Sequence, residues 1–480
     1  MADNTFVLEY DKFFQGLAPA AYLNSLSELG NAGQSASMTD CDILDPSYVN
    51  QGPELADLTN GTQAGAVTEL IQFILDKAVT ADVTYGIGTS KLFKISSTAV
   101  ASDATWPHAI TNCTDGESVI NMGGNLYYLF NKASGGDIGK YNLDATFDDD
   151  WGSTIPTGAA ALQGAPHPSA SKEDLIAFGN GRYLGIYTGG TNTLAPTKLD
   201  FEVGNEVADV IFSNNRWLIA VNSGVSGVNR NLSQVFSYDG AAIQSVLADE
   251  AGVGFQRIGF LYELNGVVFI AYQDLSSTGF KIGYLAGKQI KPLGSFTGSL
   301  PTFAQKSLFK HTILFLSSGK VWSAGAVMDE LPFQISQLAD GGYTTCGALA
   351  APFGTPMIAS TDGGSNFKLA KFSGYATSTK WYSLVIPLSG NGLGFIDSMT
   401  VSTAALGTNA QCDIQIQANQ GATLGNVKEI TGEDLSLHYF TGLGLGGIED
   451  VSIYLNWANG DATEPCPIRK VILEGHFVEA

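Results

Sequence analysis

Positive charge is scarce in this 480-residue chain: Lys and Arg number 24 against 46 Asp and Glu, for a net charge of -22. Charged residues of either sign make up 15%, where an average chain carries about 25%. So few cations cannot neutralise a run of phosphates, which excludes tight nucleic-acid binding. An anionic membrane surface would repel the chain. Long apolar runs are missing as well. Stretches such as Thr312–Leu316 and Val267–Ala271 are strand-sized and far short of the roughly 20 residues that span a bilayer, so no membrane insertion is expected. Met1–Tyr10 has no basic segment followed by an apolar one, and no secretory signal is expected.

Cysteine is sparse too. Cys41, Cys113, Cys346, Cys412 and Cys466 are odd in number, widely spaced and without a CxxC pair. This fits neither a disulfide framework nor a zinc site. Reduced, mostly buried thiols are expected, with Cys412 and Cys466 the first choice for any bridge. The bulk of Ala, Glu, Lys and Leu that a coiled coil needs is absent. Disorder is excluded by 44% hydrophobic and 10% aromatic residues.

Glycine is what the chain has in excess, with 57 residues against a usual share of roughly 7%. Between residues 68 and 384 an apolar strand after a polar turn recurs. The strands start at residues 82, 126, 183, 217, 267, 312 and 355. Around each, an order repeats: an upstream strand such as Ala208–Phe212, a turn, the marked strand, a Gly/Ser/Asn loop, a third strand such as Gln234–Tyr238, and a weaker fourth. Four strands per ~40–50 residues is the period of a β-propeller blade. Tight hairpins need Gly and Asn at positive φ, and blades buried on both faces need little charge. Past residue 385 the pattern changes to alternation, as in Cys412–Gln417 and Val451–Trp457, the mark of half-buried antiparallel strands.

The predicted fold is therefore all-β: an extended N-terminal arm over 1–67, a seven-bladed β-propeller over 68–384, and a C-terminal β-sandwich or jelly-roll over 385–480. Spacings as uneven as 34 and 57 between marked strands keep an irregular pair of sandwiches or a β-helix open.

Motifs that carry chemistry are few. Ser360-Thr-Asp362-Gly-Gly364-Ser-Asn-Phe367 resembles the Asp-box of sialidases and other propellers, in which the Asp caps a tight turn between blade strands. Its implied role is structural. A sialidase needs three converging arginines, and the chain has only Arg182, Arg216, Arg230, Arg257 and Arg469. Arg182 and Arg216 read as equivalent hairpin positions with a structural role. Asp148-Asp149-Asp150 could offer oxygen ligands to Ca²⁺ but lacks EF-hand spacing, and reads as a solvated acidic loop. His108, His167, His311, His438 and His476 show no metal-ligand spacing; His438 reads as a structural histidine. Gly224–Gly227 falls short of a nucleophile elbow, and Gly442–Gly447 reads as a flexible loop. No catalytic, cofactor-binding or metal-binding residue is predicted, and no cofactor. A carboxylate pair for glycoside hydrolysis could come from distant residues, and 46 acids single out none.

One resemblance covers the layout. Phe13-Phe14-Gln15-Gly16-Leu17, Asp42–Pro46 after an Ala/Gly/Ser stretch, and Gly52-Pro53-Glu-Leu-Ala-Asp-Leu-Thr59 resemble the start of bacteriophage virion proteins. That resemblance implies a non-enzymatic structural component of the tail or tail tip, made in the host cytoplasm, located in the virion and assembled in many copies. Its partners would be other virion proteins and copies of itself as a homo-oligomer, with a host surface glycan as a further candidate. An acidic surface would let DNA pass without sticking. Two other readings stand beside it: a carbohydrate-active propeller enzyme, a glycoside hydrolase with a lectin-like C-terminal domain, and a soluble adhesin whose sandwich binds host glycan.

Overall fold

The computed structural model describes residues 5–11, 13, 35–73, 83–143, 146–223, 233–247, 255–274, 279–326, 333–388, 393–432 and 436–478. Seven four-stranded antiparallel sheets follow one another along the chain. Their first strands are Val67–Phe73, Asp115–Met122, Ser169–Lys172, Asn205–Ser213, Phe255–Leu264, Lys306–Phe309 and Thr345–Ala350. Each packs beside the first strand of the next sheet or that sheet's opening hairpin, and the seventh returns to the first. The chain is thus a seven-bladed propeller with these strands lining the axis.

Seven separate apolar clusters hold the blades together, one between each neighbouring pair. Between blades one and two, for example, Tyr85, Trp106, Tyr128 and Tyr141 pack among Ile87, Val119 and Leu126. This is why second strands read as unbroken apolar runs: Thr312–Ser317 is buried at every position, with a different neighbouring blade on each face. Two-residue turns at positive φ join many strands. Asn214-Asn215 has φ of 49° and 61°, and Asn265-Gly266 has 51° and 80°. These are the left-handed turns whose twist matches a hairpin.

The second strands start at Val83, Asn125, Leu175, Arg216, Val267, Thr312 and Met357. Six of the seven lie within two residues of the marked starts. In blade three, Tyr183–Thr188 is the third strand and Leu175–Asn180 the second. Both are equally apolar, and the marking slipped by one hairpin. That slip produced the uneven spacings. With Leu175 in place they run between 41 and 51 residues, which removes the ground for the sandwich pair and the β-helix.

The division at residues 67 and 384 also differs from the observed pairing. Pro53–Gln63 is the outer strand of blade seven, paired with Phe367–Tyr375. The ring is closed by a strand from the far end of the chain. That strand buries little beyond Leu58 and Gly61, so its sequence carries no period to read. Two further described strands of the arm enter the C-terminal sandwich. Thr5–Tyr10 joins Ile468–Val478, Leu393–Thr403 and Leu437–Ile448 in one sheet; Ser35–Thr39 pairs with Lys380–Ser383 in the other. Phe13 lies edge-on to Trp381 at 5.0 Å within the shared core. Phe14 and Leu17 of the same opening segment lie outside the described residues. Lys380–Ser383, assigned from sequence to the propeller, belongs to the sandwich.

Sandwich and propeller meet around Asp40 and Gly52. The buried Asp40 carboxylate accepts from Gln337 of blade six at 3.1 Å and from Ser378 at 2.8 Å. Gly52 has no room for a side chain: a Cβ there would stand 2.2 Å from the Leu338 carbonyl oxygen. This joint lies at the end of blades six and seven where the first strand turns into the second. A shallow hollow of about 280 Å³ opens there, lined by Asp42, Gln51, Phe309, Pro356 and Tyr375.

Candidate functional site

Polar chemistry concentrates on the axis. Five first strands carry a β-bulge early in their course: Val67/Glu69, Gly116/Ser118, Val207/Asp209, Ile258/Phe260 and Cys346/Ala348. A bulge bends the strand and re-aims its side chains. In blade five the extra residue is Gly259, whose Cβ would meet the Pro301 carbonyl oxygen at 2.0 Å. Three ionisable groups on first strands, two of these bulged strands and the unbulged Lys306–Phe309, are drawn into the axis. Asp209 of blade four accepts from its own Val210 N–H at 2.9 Å and from the Leu261 N–H of blade five at 2.6 Å. It pairs with the Lys306 ammonium of blade six, which also donates to the Leu261 carbonyl at 2.6 Å. Glu69 of blade one accepts from the Val119 N–H of blade two at 2.5 Å. Burial raises the Asp209 carboxyl and lowers the Lys306 ammonium despite their mutual attraction. It pushes Glu69 up to about 8, against the pull of the Val119 N–H and Lys306.

The axis opens at the other end of the blades from the sandwich joint. There the starts of first strands and the ends of second strands surround a cavity of about 580 Å³, lined by Glu117, Asn222, Arg257, Gln273, Thr302 and Phe303, with Glu206 beside them. Glu206 and Arg257 form an ion pair. Glu117 is pushed up to about 7 by burial and by nearby Asp115. Its Oε1 contacts the Asn131 side-chain amide at 2.6 Å. Asn131 in turn contacts the buried His167, which burial lowers to about 4. The arrangement can hold a small ligand between hydrogen-bonding groups and a ring face.

Sequence reasoning named Arg257 and His167 only among the arginines and histidines it tested and set aside, and reached none of the other residues. The available signal was a charged residue inside an apolar strand, as Asp209 stands in Ala208–Phe212. The motifs it did test are placed as follows. Asp362 caps the turn between second and third strands of blade seven, accepting from the Gly364 N–H at 2.8 Å and the Asn366 N–H at 2.9 Å. That is the structural role the Asp-box resemblance implied. Arg182 and Arg216 are not equivalent: Arg182 lies in the second-to-third turn of blade three, and Arg216 opens the second strand of blade four. Arg182 pairs with Asp200 at 3.1 Å and stacks on Tyr183. Arg230 and Gly224–Gly227 lie outside the described residues.

Asp148–Asp150 is no solvated loop. Asp149 accepts from Tyr128 Oη at 2.5 Å and the Thr111 N–H at 2.8 Å, and contacts His108 Nε2 at 3.1 Å. Burial would raise its carboxyl, but these bonds outweigh burial and hold it well below the usual carboxylate range. Asp150 meets Lys132 at 2.7 Å. His476 contacts Asp397 at 2.8 Å, His438 lies half-buried on the strand Leu437–Ile448, and His311 sits in the opening turn of blade six. Gly442–Gly447, expected as a loop, runs within Leu437–Ile448, with positive φ at Gly442, Gly444 and Gly447. All five cysteines are free thiols, three of them buried in the sandwich core. Among the described residues, no three His, Cys, Asp or Glu side chains are grouped to hold a metal ion, and no helix is long and apolar enough to cross a membrane.

No family model matches the chain, and no curated protein does. Solved structures resemble it in fold. The extracellular domain of a one component system from B. thetaiotaomicron is 14% identical over 82% of this chain, with a TM-score of 0.46. The match spans about half, 48%, of that domain's length. The β-propeller domain of Swd1 from Myceliophteria thermophila is 9% identical over 65% of this chain and 99% of its own, with a TM-score of 0.41. An exo-beta-1,3-galactanase from Phanerochaete chrysosporium is 10% identical over 67% of this chain and 98% of its own, with a TM-score of 0.31. Likeness at these levels concerns the fold and says nothing of chemistry.

Proposed function

We propose that the chain is a non-enzymatic structural component of a bacteriophage virion, a tail or tail-tip protein that also serves host attachment. Three observations support the reading together. The opening segments resemble those of virion proteins. The strand that closes the propeller and two strands of the sandwich come from the N-terminal arm that carries those segments, so the arm is the tie that makes one body of both parts. The sandwich joint and the open axis lie at opposite ends of the blades, an arrangement suited to anchoring at one end and presenting the other. The last of these carries most weight. Its test is the protein content of purified particles. Mass spectrometry should find the chain in fixed stoichiometry with portal and tail proteins, and its absence from particles would sink the reading.

A second reading has an observation of its own. Glu117, raised to about 7, lines a cavity beside a second carboxylate, Glu206, as a glycoside hydrolase requires. Glu206 is engaged by Arg257, which disfavours it as nucleophile or base. Release of reducing sugar from cell-surface glycans, abolished by Glu117→Gln, would favour this reading over the first.

A further inference from the structure

Among the described residues, the groups that could charge the open mouth of the axis cancel or lose their charge. Arg257 and Glu206 pair across blades five and four. Glu117 ends a hydrogen-bond chain that fixes its proton. His167 is wholly buried, and its Nδ1 faces the Gly179 carbonyl oxygen at 2.9 Å. A carbonyl oxygen only accepts, so Nδ1 carries a hydrogen. Nε2 of the uncharged ring is then an acceptor, 3.1 Å from the Asn131 side-chain amide. As placed, the amide turns its Oδ1 to His167 Nε2 and its Nδ2 to Glu117 Oε1 at 2.6 Å; the uncharged ring requires the reverse orientation of this near-symmetric group, with NH2 toward His167 and the oxygen toward Glu117 Oε1. Two acceptors would meet there unless the Glu117 carboxyl keeps its proton and donates. The other proton placement puts a cation on His167 and an anion on Glu117, separated by a neutral amide, and desolvates both. In the neutral chain every donor along it meets an acceptor.

We propose that this mouth binds an uncharged, polyhydroxylated ligand, a short glycan segment. The cavity, about 580 Å³, falls in the range of roughly 300–1,000 Å³ usual for small-ligand sites. Among the described residues, an anion would find the one lining arginine, Arg257, already paired, on a chain of net charge -22. A cation would find Glu117 protonated and Glu206 engaged. An apolar ligand would strip water from the exposed ion pair and the Gln273 amide without replacing it. Hydroxyl groups suit a lining that offers both donors and acceptors: the Glu117 carboxyl, the Gln273 amide and the Thr302 hydroxyl. Half-buried Phe303 adds a ring face for the C–H face of a sugar. The attachment reading supplies the source of such a glycan; the site itself does not depend on it.

An array of uncharged, sialylated and sulfated glycans screens the full chain, and the strongest uncharged binder is then titrated calorimetrically, with spermidine in parallel. An uncharged glycan should bind. Phe303→Ala and Gln273→Ala should each weaken it by about tenfold or more at an unchanged unfolding midpoint. Absence of uncharged binders, preference for anionic glycans or spermidine, or full binding by both weakening variants would overturn the proposal. Particle content is read separately. Glycan binding by a chain absent from particles keeps the site and removes the virion reading; a particle protein blind to uncharged glycans does the reverse.

Discussion

Single side chains in this protein hold blades to one another more than they hold strands within a blade. Asp149, in blade two, ties in His108 and Thr111 of the preceding blade and its connection, together with Tyr128. Its folded pKa lies below the ordinary value of 3.8. The stabilisation it gives is therefore present above that value and lost as pH falls toward the folded one. Asp149→Asn should lower stability by about 1–3 kcal/mol at pH 7 and lose part of the acid sensitivity, as read by urea unfolding at pH 7 and pH 3. Glu69 has the opposite sign. Its carboxyl moves from 4.5 to about 8 on folding, so the native state holds a proton that the unfolded chain has released. Stability then declines as pH rises between these values. Glu69→Gln should flatten that decline and leave the protein more stable than the parent at pH 8.5. A variant that loses stability equally at pH 5 and pH 8.5 would show that Glu69 matters by shape alone.

At the level of strands, closure depends on Pro53–Gln63. Without it, blade seven would expose the edge of Phe367–Tyr375, an open template for pairing with other chains. A chain starting after Gln63 should aggregate or elute as oligomers in size-exclusion chromatography, and a peptide of residues 53–63 added during refolding should reduce this. A soluble monomer with the parental unfolding midpoint would contradict the closure. The same strand marks the limit of what could be read from the sequence. Second and third strands were legible because burial on both faces writes them as apolar runs between Gly and Asn turns. The outer closing strand buries two residues and reads as loop. Blade three was misphased because Leu175–Asn180 and Tyr183–Thr188 are alike in composition, and only pairing tells second from third. The candidate site was not legible. Glu69, Glu117, Asp209 and Lys306 come from blades one, two, four and six, and apart from a charge set inside an apolar strand, as at Asp209, nothing local separates them from the other acids and lysines. Their meeting is a product of the ring.

For the molecule as a whole, the net charge of -22 and the neutral mouth belong together. An acidic surface favours solubility and repels phosphates, while a mouth whose charges are paired or protonated would suit the uncharged ligand proposed for it. The sandwich is built from both ends of the chain and lies at the opposite end of the blades, so anchoring and presentation need not compete. On the proposed virion reading, the most direct measurement is a cryo-EM reconstruction of purified phage particles. The virion reading predicts ring density for the seven blades in several symmetry-related copies, with the sandwich against neighbouring subunits and the Glu117 mouth facing solvent. Particles without such density, or with the mouth buried against another subunit and the sandwich exposed, would contradict it.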